Sequence, residues 1–433
     1  MSNYWEKCKD YSAYSGPQEP TFLRDRVEKF YSERVNGKWS GGHIMRGIHP
    51  NADAIKIDHN DYLSIANHPD IVKAQCDILN KEHNIVLMSG VFLHGEDNLH
   101  RQFEVKLADF LGREDVLLCQ SGYAANVGLI QSIAYNNTPI YIDMMAHMSL
   151  WEGVKSAGQA DPHFFRHNDP VHLEKLIKQY GEGIIIVDSL YSTNGSICPL
   201  KEVIAIGEKY NCILVVDESH SLATFGPEGR GMVYELGLTD KVHFITSSLA
   251  KGFAGRAGMI SCSSRNREYL IFHALPAIFS STLLVHEVAG LLATLEVVKQ
   301  AETKRAALHS KATFLRQQLI ALGYNLENSQ SQIISLESGS EEQTIILRDA
   351  LQAQGIFGAV FCAPAVPANR TLIRFCVNTD LPEADLLKIV QVCKDIRDEV
   401  DMWNWPSTKR LQRNNKIIKL ANNEPRPLEQ LAA

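Results

Sequence analysis

Five short runs between residues 115 and 246 are apolar at nearly every position: "DVLLC", "PIYID", "GIIIVD", "CILVVD" and "VHFIT". A strand with one face in water alternates apolar and polar residues. Strands apolar throughout are covered on both faces, as in a parallel sheet flanked by helices. Between two of the runs lies "PLKEVIAIGEKYN", with Leu200, Val203, Ile204 and Gly207 at helical spacing and Pro199 at its start. Strand, helix and strand in this rhythm predict an α/β fold whose large domain is built on a mainly parallel sheet.

The rest of the 433 residues is arranged around this block. Residues 1–55 carry an amphipathic helix around "FLRDRVEKFYSERV" and a loop rich in Gly and His. The large domain is expected over 56–290 and a connecting helix over 291–323. A smaller α+β domain follows over 324–400, with strands at "SQIISLE", "IFGAVFC" and "TLIRFCV" and helices near 341–354 and 382–399. Residues 401–433 turn polar and basic and are expected to pack weakly. No internal repeat is visible.

Composition narrows the function. With 43 basic and 50 acidic side chains the net charge is −7, which gives no support for a nucleic-acid surface. No apolar run reaches the roughly 18 residues of a membrane span. The first residues lack the cationic and apolar regions of a signal peptide. Nine cysteines without a C-x-x-C pair do not read as a disulfide framework or a zinc site. The expectation is a cytoplasmic protein without a metal.

In open α/β sheets, ligands bind outside the carboxyl ends of the strands. Four of the runs end in unusual polar sets: "QSGYAAN", "MMAHMS", "DESH" and "SSLAK". A parallel sheet therefore brings Ser121, His147, Asp217, His220 and Lys251 to one edge. Singly, each has a plain structural reading: a strand-end aspartate caps or pairs, a histidine packs, a lysine faces water. Together they describe a binding site. Ser121, Gly122 and Tyr123 open a helix whose N-terminus suits a phosphate. Asp217 can hold a protonated ring nitrogen, and the Lys251 amine can join an aldehyde. Phosphate, ring nitrogen and aldehyde are the three handles of pyridoxal phosphate (PLP).

From about residue 55 to 400 the chain resembles the α-oxoamine synthases, fold-type I PLP enzymes that condense an amino acid with an acyl-CoA and release carbon dioxide. The matching stretches include "HNDYLSIANHP", "LHRQFEVKLADFLG", "SGYAANVG", "DSLYSTNGSICPL", "VDESHSLATFGPEGRG", "SLAKGFAGRAG", "IFSSTL" and "LIRFCVN". The resemblance implies that Lys251 carries the cofactor, Asp217 pairs with its ring nitrogen, His147 stacks on the ring and His220 lies near the ring hydroxyl. Ser121, Gly122, Tyr123 and Ser248 would hold the phosphate, and Ser192, Asn60 and Asp188 would line the pocket. Arg374 would grip the substrate carboxylate. Ser281 or Thr282 would reach the phosphate across a homodimer interface.

The chain departs from the family at "HNIVLMSGVFLHGEDN", at Asn194, at Arg256, and at Thr379 and Asp380 after "RFCVN". Those departures, with "AHMSLWEG", "PAIFSSTLL" and "SQIISLESG", resemble the branch that makes precursors of α-hydroxyketone quorum-sensing autoinducers. That branch implies an acyl-CoA of medium or long chain and a small amino acid donor larger than glycine. The competing expectations are a housekeeping synthase of the same chemistry (8-amino-7-oxononanoate synthase, glycine C-acetyltransferase or a serine palmitoyltransferase-like enzyme) and a non-catalytic binding subunit.

Overall fold

The computed structural model of the chain describes residues 2–9, 16–81, 88–93, 95, 97–158 and 160–413. Its centre is a seven-stranded sheet: β1 (Asp115–Cys119), β2 (Pro139–Asp143), β3 (Asp161–Phe165), β4 (Ile184–Asp188), β5 (Ile213–Asp217), β6 (Phe244–Ser248) and β7 (Gly258–Cys262). They lie in the order β1-β7-β6-β5-β4-β2-β3. The pairs β6/β5, β5/β4, β4/β2 and β2/β3 are parallel, whereas β7 runs antiparallel to both of its neighbours. The uniformly apolar runs are explained by what covers each face. Ile184, Ile186 and Val215 enter one hydrophobic cluster, while Ile185, Val187, Leu214 and Val216 enter another. The period of two is present but hidden, because neither face meets water.

Two strands escape the apolar pattern. β3 is an edge strand with only Phe165 fully buried, and β7, "GMISC", is buried despite its small and polar residues. The helices include α1 (Pro69–Lys81), α2 (Leu99–Leu111), α3 (Gly122–Ile133), α4 (Met148–Ser156), α5 (Pro170–Tyr180), α6 (Leu200–Lys209) and α7 (Ser264–His273). In α6 the buried residues are Leu200, Val203, Ile204 and Gly207, the four spaced for it in the sequence.

In place of the single connecting helix expected over 291–323 stand two helices, α8 (Val285–Lys299) and α9 (Glu302–Ala321). Buried Arg305 closes the break between them, donating to the Val298 carbonyl at 2.7 Å and pairing with Glu302. Beyond lies a three-stranded antiparallel sheet of β8 (Ile333–Gly339), β9 (Ala359–Phe361) and β10 (Thr371–Cys376), in the order β9-β10-β8. Helices α10 (Glu341–Ala353) and α11 (Glu383–Asp395) accompany it. "IFGAVFC" divides: Ile356–Phe357 leaves this sheet to pair in parallel with Ile55–Lys56. Residues of β8 and β10 share a core cluster with one face of the large sheet.

Near the N-terminus an α-helical turn segment, Thr21–Lys29, runs into a π-helical one, Phe30–Lys38. Only Val35 of the two is buried, so the stretch docks through polar contacts instead of an apolar stripe. Arg34 and the Trp39 indole both reach Glu341 at the start of α10, at 2.6 and 2.8 Å.

The change to polar, basic composition at residue 401 does not end the packed structure. The helix Pro406–Arg413 lies along edge strand β8. There the Ser407 hydroxyl donates to the Glu337 carbonyl at 2.5 Å and Arg410 pairs with the Glu337 carboxylate at 2.7 Å. Leu411 and Trp405 are buried. A helix with few apolar residues is stable here because it covers an edge strand and its polar groups find partners. Burying one leucine contributes about 1.5–3 kcal/mol. Truncation before Pro406 is therefore expected to lower the unfolding midpoint measurably in thermal denaturation, where a loosely attached tail would leave it unchanged.

Candidate active site

Because β2, β4, β5 and β6 are parallel, their carboxyl ends form one rim carrying Asp143, Asp188, Asp217 and Ser248. Antiparallel β7 begins at the same rim, with Gly258 between Cys119 and Ser248. The loop from β6 to β7 carries Lys251. It folds back on itself, the Leu249 amide donating to the Ala257 carbonyl at 3.0 Å. Its small residues are a packing requirement: a Cβ on Gly252 would come within 2.7 Å of the Leu222 carbonyl. The loop thus lies against the segment that follows Asp217.

Helix α3 meets the rim at its N-terminus. Ser121 caps it, accepting from the Ala124 amide at 3.1 Å, while first-turn amides have no intrahelical acceptor. A Cβ on Gly122 would stand 2.6 Å from the Cβ of Ser248, so only glycine brings this bare backbone against the strand end. Tyr123 is about half exposed. Ser121, Gly122 and Ser248 are brought together, and the cradle suits an anion.

Two hydrogen-bond chains flank Lys251. In the first, Asp217 Oδ2 accepts from Asn126 Nδ2 at 2.7 Å and Oδ1 from the Ser219 amide at 2.7 Å. Asn126 also donates to the Ser149 hydroxyl at 2.8 Å, which lies 2.7 Å from His147 Nδ1. That Nδ1 accepts from the Ser149 amide at 3.2 Å, so the ring proton belongs on Nε2. The His147 amide in turn donates to Asp188 Oδ2 at 3.0 Å. In the second chain, Arg374 donates from Nη1 to the Ser192 carbonyl at 2.7 Å and from Nη2 to Asn60 Oδ1 at 2.9 Å. Asn60 Oδ1 also lies 3.2 Å from the Tyr62 hydroxyl, and that hydroxyl stands 2.7 Å from His220 Nδ1. Arg374 is buried, lies over the Phe361 ring, and its Nε has no hydrogen-bond partner among the described residues.

Burial sets the charges. It moves the Lys251 amine below the ordinary lysine value, with the nearby Arg374 cation acting in the same direction and Asp217 opposing. Burial also lowers His147 and moves His220 well down, so both rings are neutral near pH 7. Asp188 is pushed well above the usual carboxylate range by burial and then by Asp217 on the neighbouring strand. Among the described residues, no carboxylate lies within ion-pair distance of the Lys251 amine, which suits a nucleophile or a base.

Of the residues singled out from the sequence, Lys251, Asp217, His220, His147, Ser121, Gly122, Ser248, Asn60, Asp188 and Arg374 belong to this rim. Ser192 contributes its carbonyl to Arg374. Ser281 is exposed, and Thr282 lines a cavity of about 290 Å³ with Gln120 and Gly90. Tyr62, Asn126, Ser149 and Ser219 were not singled out, although all lie within or beside the quoted motifs. They carry no charge, and only the fold reveals their partners. Asp143, His167 and Ser196 form a Ser–His–Asp series at 3.0 and 2.8 Å, yet Ser196 is buried and also bonded to Asn194 at 2.8 Å, so the set braces the hairpin around residue 194.

The family model of the class I and II aminotransferases matches residues 52–392. The chain belongs to that family, as a fold-type I enzyme of the α-oxoamine synthase group. It is 43% identical over 376 residues to the CAI-1 autoinducer synthase of Vibrio campbellii, covering 87% of this chain and 95% of that one. It is 31% identical to a putative 8-amino-7-oxononanoate synthase of Glaesserella parasuis, covering 78% and 90%. Among solved structures, a serine palmitoyltransferase from S. paucimobilis with bound PLP and myriocin superposes with a TM-score of 0.81 at 25% identity, over 88% of this chain and 99% of that one. No helix among the described residues is long and apolar enough to cross a membrane.

Glu218, next to Asp217, gives a pH test of the rim. Its carboxyl is buried and pushed up to about 7 from an ordinary 4.5, although Oε1 accepts from the Met232 amide, the Val233 amide and the Ser221 hydroxyl. The folded state therefore binds more protons than the unfolded chain between those values. Glu218's contribution is complete below about pH 4.5 and is lost as pH rises through about 7. In denaturant titrations, Glu218→Gln should flatten the pH dependence of stability across that window, by up to about 1.4 kcal/mol per pH unit.

Proposed function

We propose that the protein holds PLP at this rim and joins an acyl-CoA to a small aliphatic amino acid, forming the precursor of an α-hydroxyketone autoinducer. The observation that carries the reading is the meeting of the Lys251 amine, the Asp217 carboxylate and the Arg374 guanidinium at one buried edge, beside a helix N-terminus opened by glycine. The residues present fit the cofactor: a helix N-terminus that glycine brings against Ser248 for the phosphate, a fixed carboxylate for a ring nitrogen and a depressed amine for the aldehyde. In the net reaction the amino acid α-carbon bonds to the thioester carbonyl carbon, the C–S bond breaks to release CoA thiol, and the carboxyl group leaves as carbon dioxide. The product is an α-aminoketone. PLP, when bound, supplies an aldehyde to join the substrate amine and an electron sink for the carbanion at its α-carbon.

The chain's own residues do the rest. Ser121, Gly122, Tyr123 and Ser248 hold the phosphate, and Ser281 or Thr282 serves the same end across a homodimer interface. Asp217, kept in place by Asn126 and the Ser219 amide, holds a proton on the ring nitrogen. His147, fixed by Ser149, covers the ring face, and Asp188 fixes the backbone beneath it. Arg374, oriented by Ser192 and Asn60, takes the substrate carboxylate with a planar fork that lysine cannot supply. Lys251, once free, removes the α-proton, because burial leaves its amine neutral more often than an exposed lysine.

Borohydride reduction of the holoenzyme should fix the cofactor on the peptide containing Lys251; labelling of another lysine contradicts the assignment. Asp217→Asn preserves shape and removes charge, so it should retain cofactor by absorbance yet turn over slowly; near-normal turnover would rule out its role.

Substrate class is testable by chain length. Burial of an acyl tail contributes up to about 0.8 kcal/mol per methylene, so four added carbons raise kcat/KM by as much as roughly two orders of magnitude. The expected result is a climb from acetyl- to at least octanoyl-CoA, with a donor larger than glycine preferred. Best activity with acetyl-CoA and glycine would replace the signalling role with a housekeeping one.

A further inference from the structure

We infer that Tyr62 is a positioning residue that sets the tautomer of His220 and links it to the arginine at the substrate end of the site. Tyr62 is wholly buried, and burial keeps its phenol protonated by raising it well above the ordinary tyrosine value. The hydroxyl has one proton to donate and two neighbours: Asn60 Oδ1 at 3.2 Å, which can only accept, and His220 Nδ1 at 2.7 Å, which accepts when the ring proton is on Nε2. Asn60 Oδ1 already receives Arg374 Nη2 at 2.9 Å. The nearer and otherwise unserved acceptor is His220 Nδ1. The ring is neutral, so with Nδ1 accepting, its proton resides on Nε2.

Nε2 makes no hydrogen bond with the described residues, and the charges that depress the ring are Lys251 and Arg374, both at the rim. His220 is thereby a donor toward the site. The remaining contacts of this segment do not orient the ring: Gln332 Nε2 donates to the His220 carbonyl at 2.8 Å, and Thr224 donates to the same atom. Tyr62 is the side chain that selects which ring nitrogen holds the proton. Because Asn60 Oδ1 is shared, engagement of Arg374 by a carboxylate alters the competition for the phenol's proton. The identity of what Nε2 donates to rests on the PLP reading; the tautomer does not.

The test uses protein labelled with ¹⁵N-histidine and Tyr62→Phe, which deletes one oxygen and keeps the ring. In the wild type, the His220 signals, recognised by their loss in His220→Gln, should show protonated Nε2 and a hydrogen-bonded, unprotonated Nδ1. In Tyr62→Phe the Nδ1 signal should move toward an unbonded or mixed tautomer. With one hydrogen bond lost, kcat should fall about tenfold while KM for the amino donor stays within about twofold. Asn60→Ala should show the opposite split, with KM the larger change. A wild-type His220 protonated on Nδ1 overturns the inference even if Tyr62→Phe does not fold, and so does a Tyr62→Phe enzyme with normal kcat. Failure of wild-type protein to condense any acyl-CoA with any amino acid would count against the proposed reaction and leave the tautomer result standing.

Discussion

A sheet buried on both faces leaves its strands only two wet ends, and in a parallel sheet all the carboxyl ends open at one of them. The rest of this molecule is organised by that constraint. Asp143, Asp188 and Asp217 each terminate a strand whose preceding residues are packed on both sides. The loops that leave these ends have to turn sharply, and the bare backbone at Gly122 and Gly252 lets them meet without a Cβ between them. The geometry of the rim follows from how the sheet must end.

The same constraint fixes the electrostatics. Loops bury the side chains at that end in turn, and loss of hydration is the first cause of the shifts there: Lys251 and both histidines move down, and Asp188 and Glu218 move up. Neutral side chains then restore direction. Asn126 and Ser149 bind Asp217 to His147, while Asn60 and Tyr62 bind Arg374 to His220. Asp217 and the terminal nitrogens of Arg374 are each held by neutral partners instead of by one another.

Much of this was legible in the chain. Five apolar runs predicted five strands of the large sheet, and the polar residues that follow several of them meet at one of its edges. What escaped has physical reasons. β3 is half exposed at the sheet edge and β7 is made of small residues, so neither has the apolar signature of a central strand. The helix Pro406–Arg413 is too polar to be recognised by a buried stripe, because it is held by Glu337 and an open strand edge instead of by a core of its own. Tyr62 is an aromatic residue between Asp61 and Leu63, and nothing local distinguishes a packed ring from one whose hydroxyl meets a distant histidine.

The sequence by itself determined the class of fold, the presence of an amine, a carboxylate and an arginine in the motifs around the rim, and the family to which the chain belongs. Those depend on residue type and short spacing, which are local properties. Tertiary structure decided which ring nitrogen of His147 accepts, which carboxyls lose their water and which neutral residue connects Asp217 to His147 or Arg374 to His220. Hydrogen bonds between Asn60 and Arg374, or Tyr62 and His220, join residues 314 and 158 positions apart. Their energies depend on distances near 3 Å and on exclusion of water, and both exist only once the sheet, its loops and the small β-sheet have closed on one another.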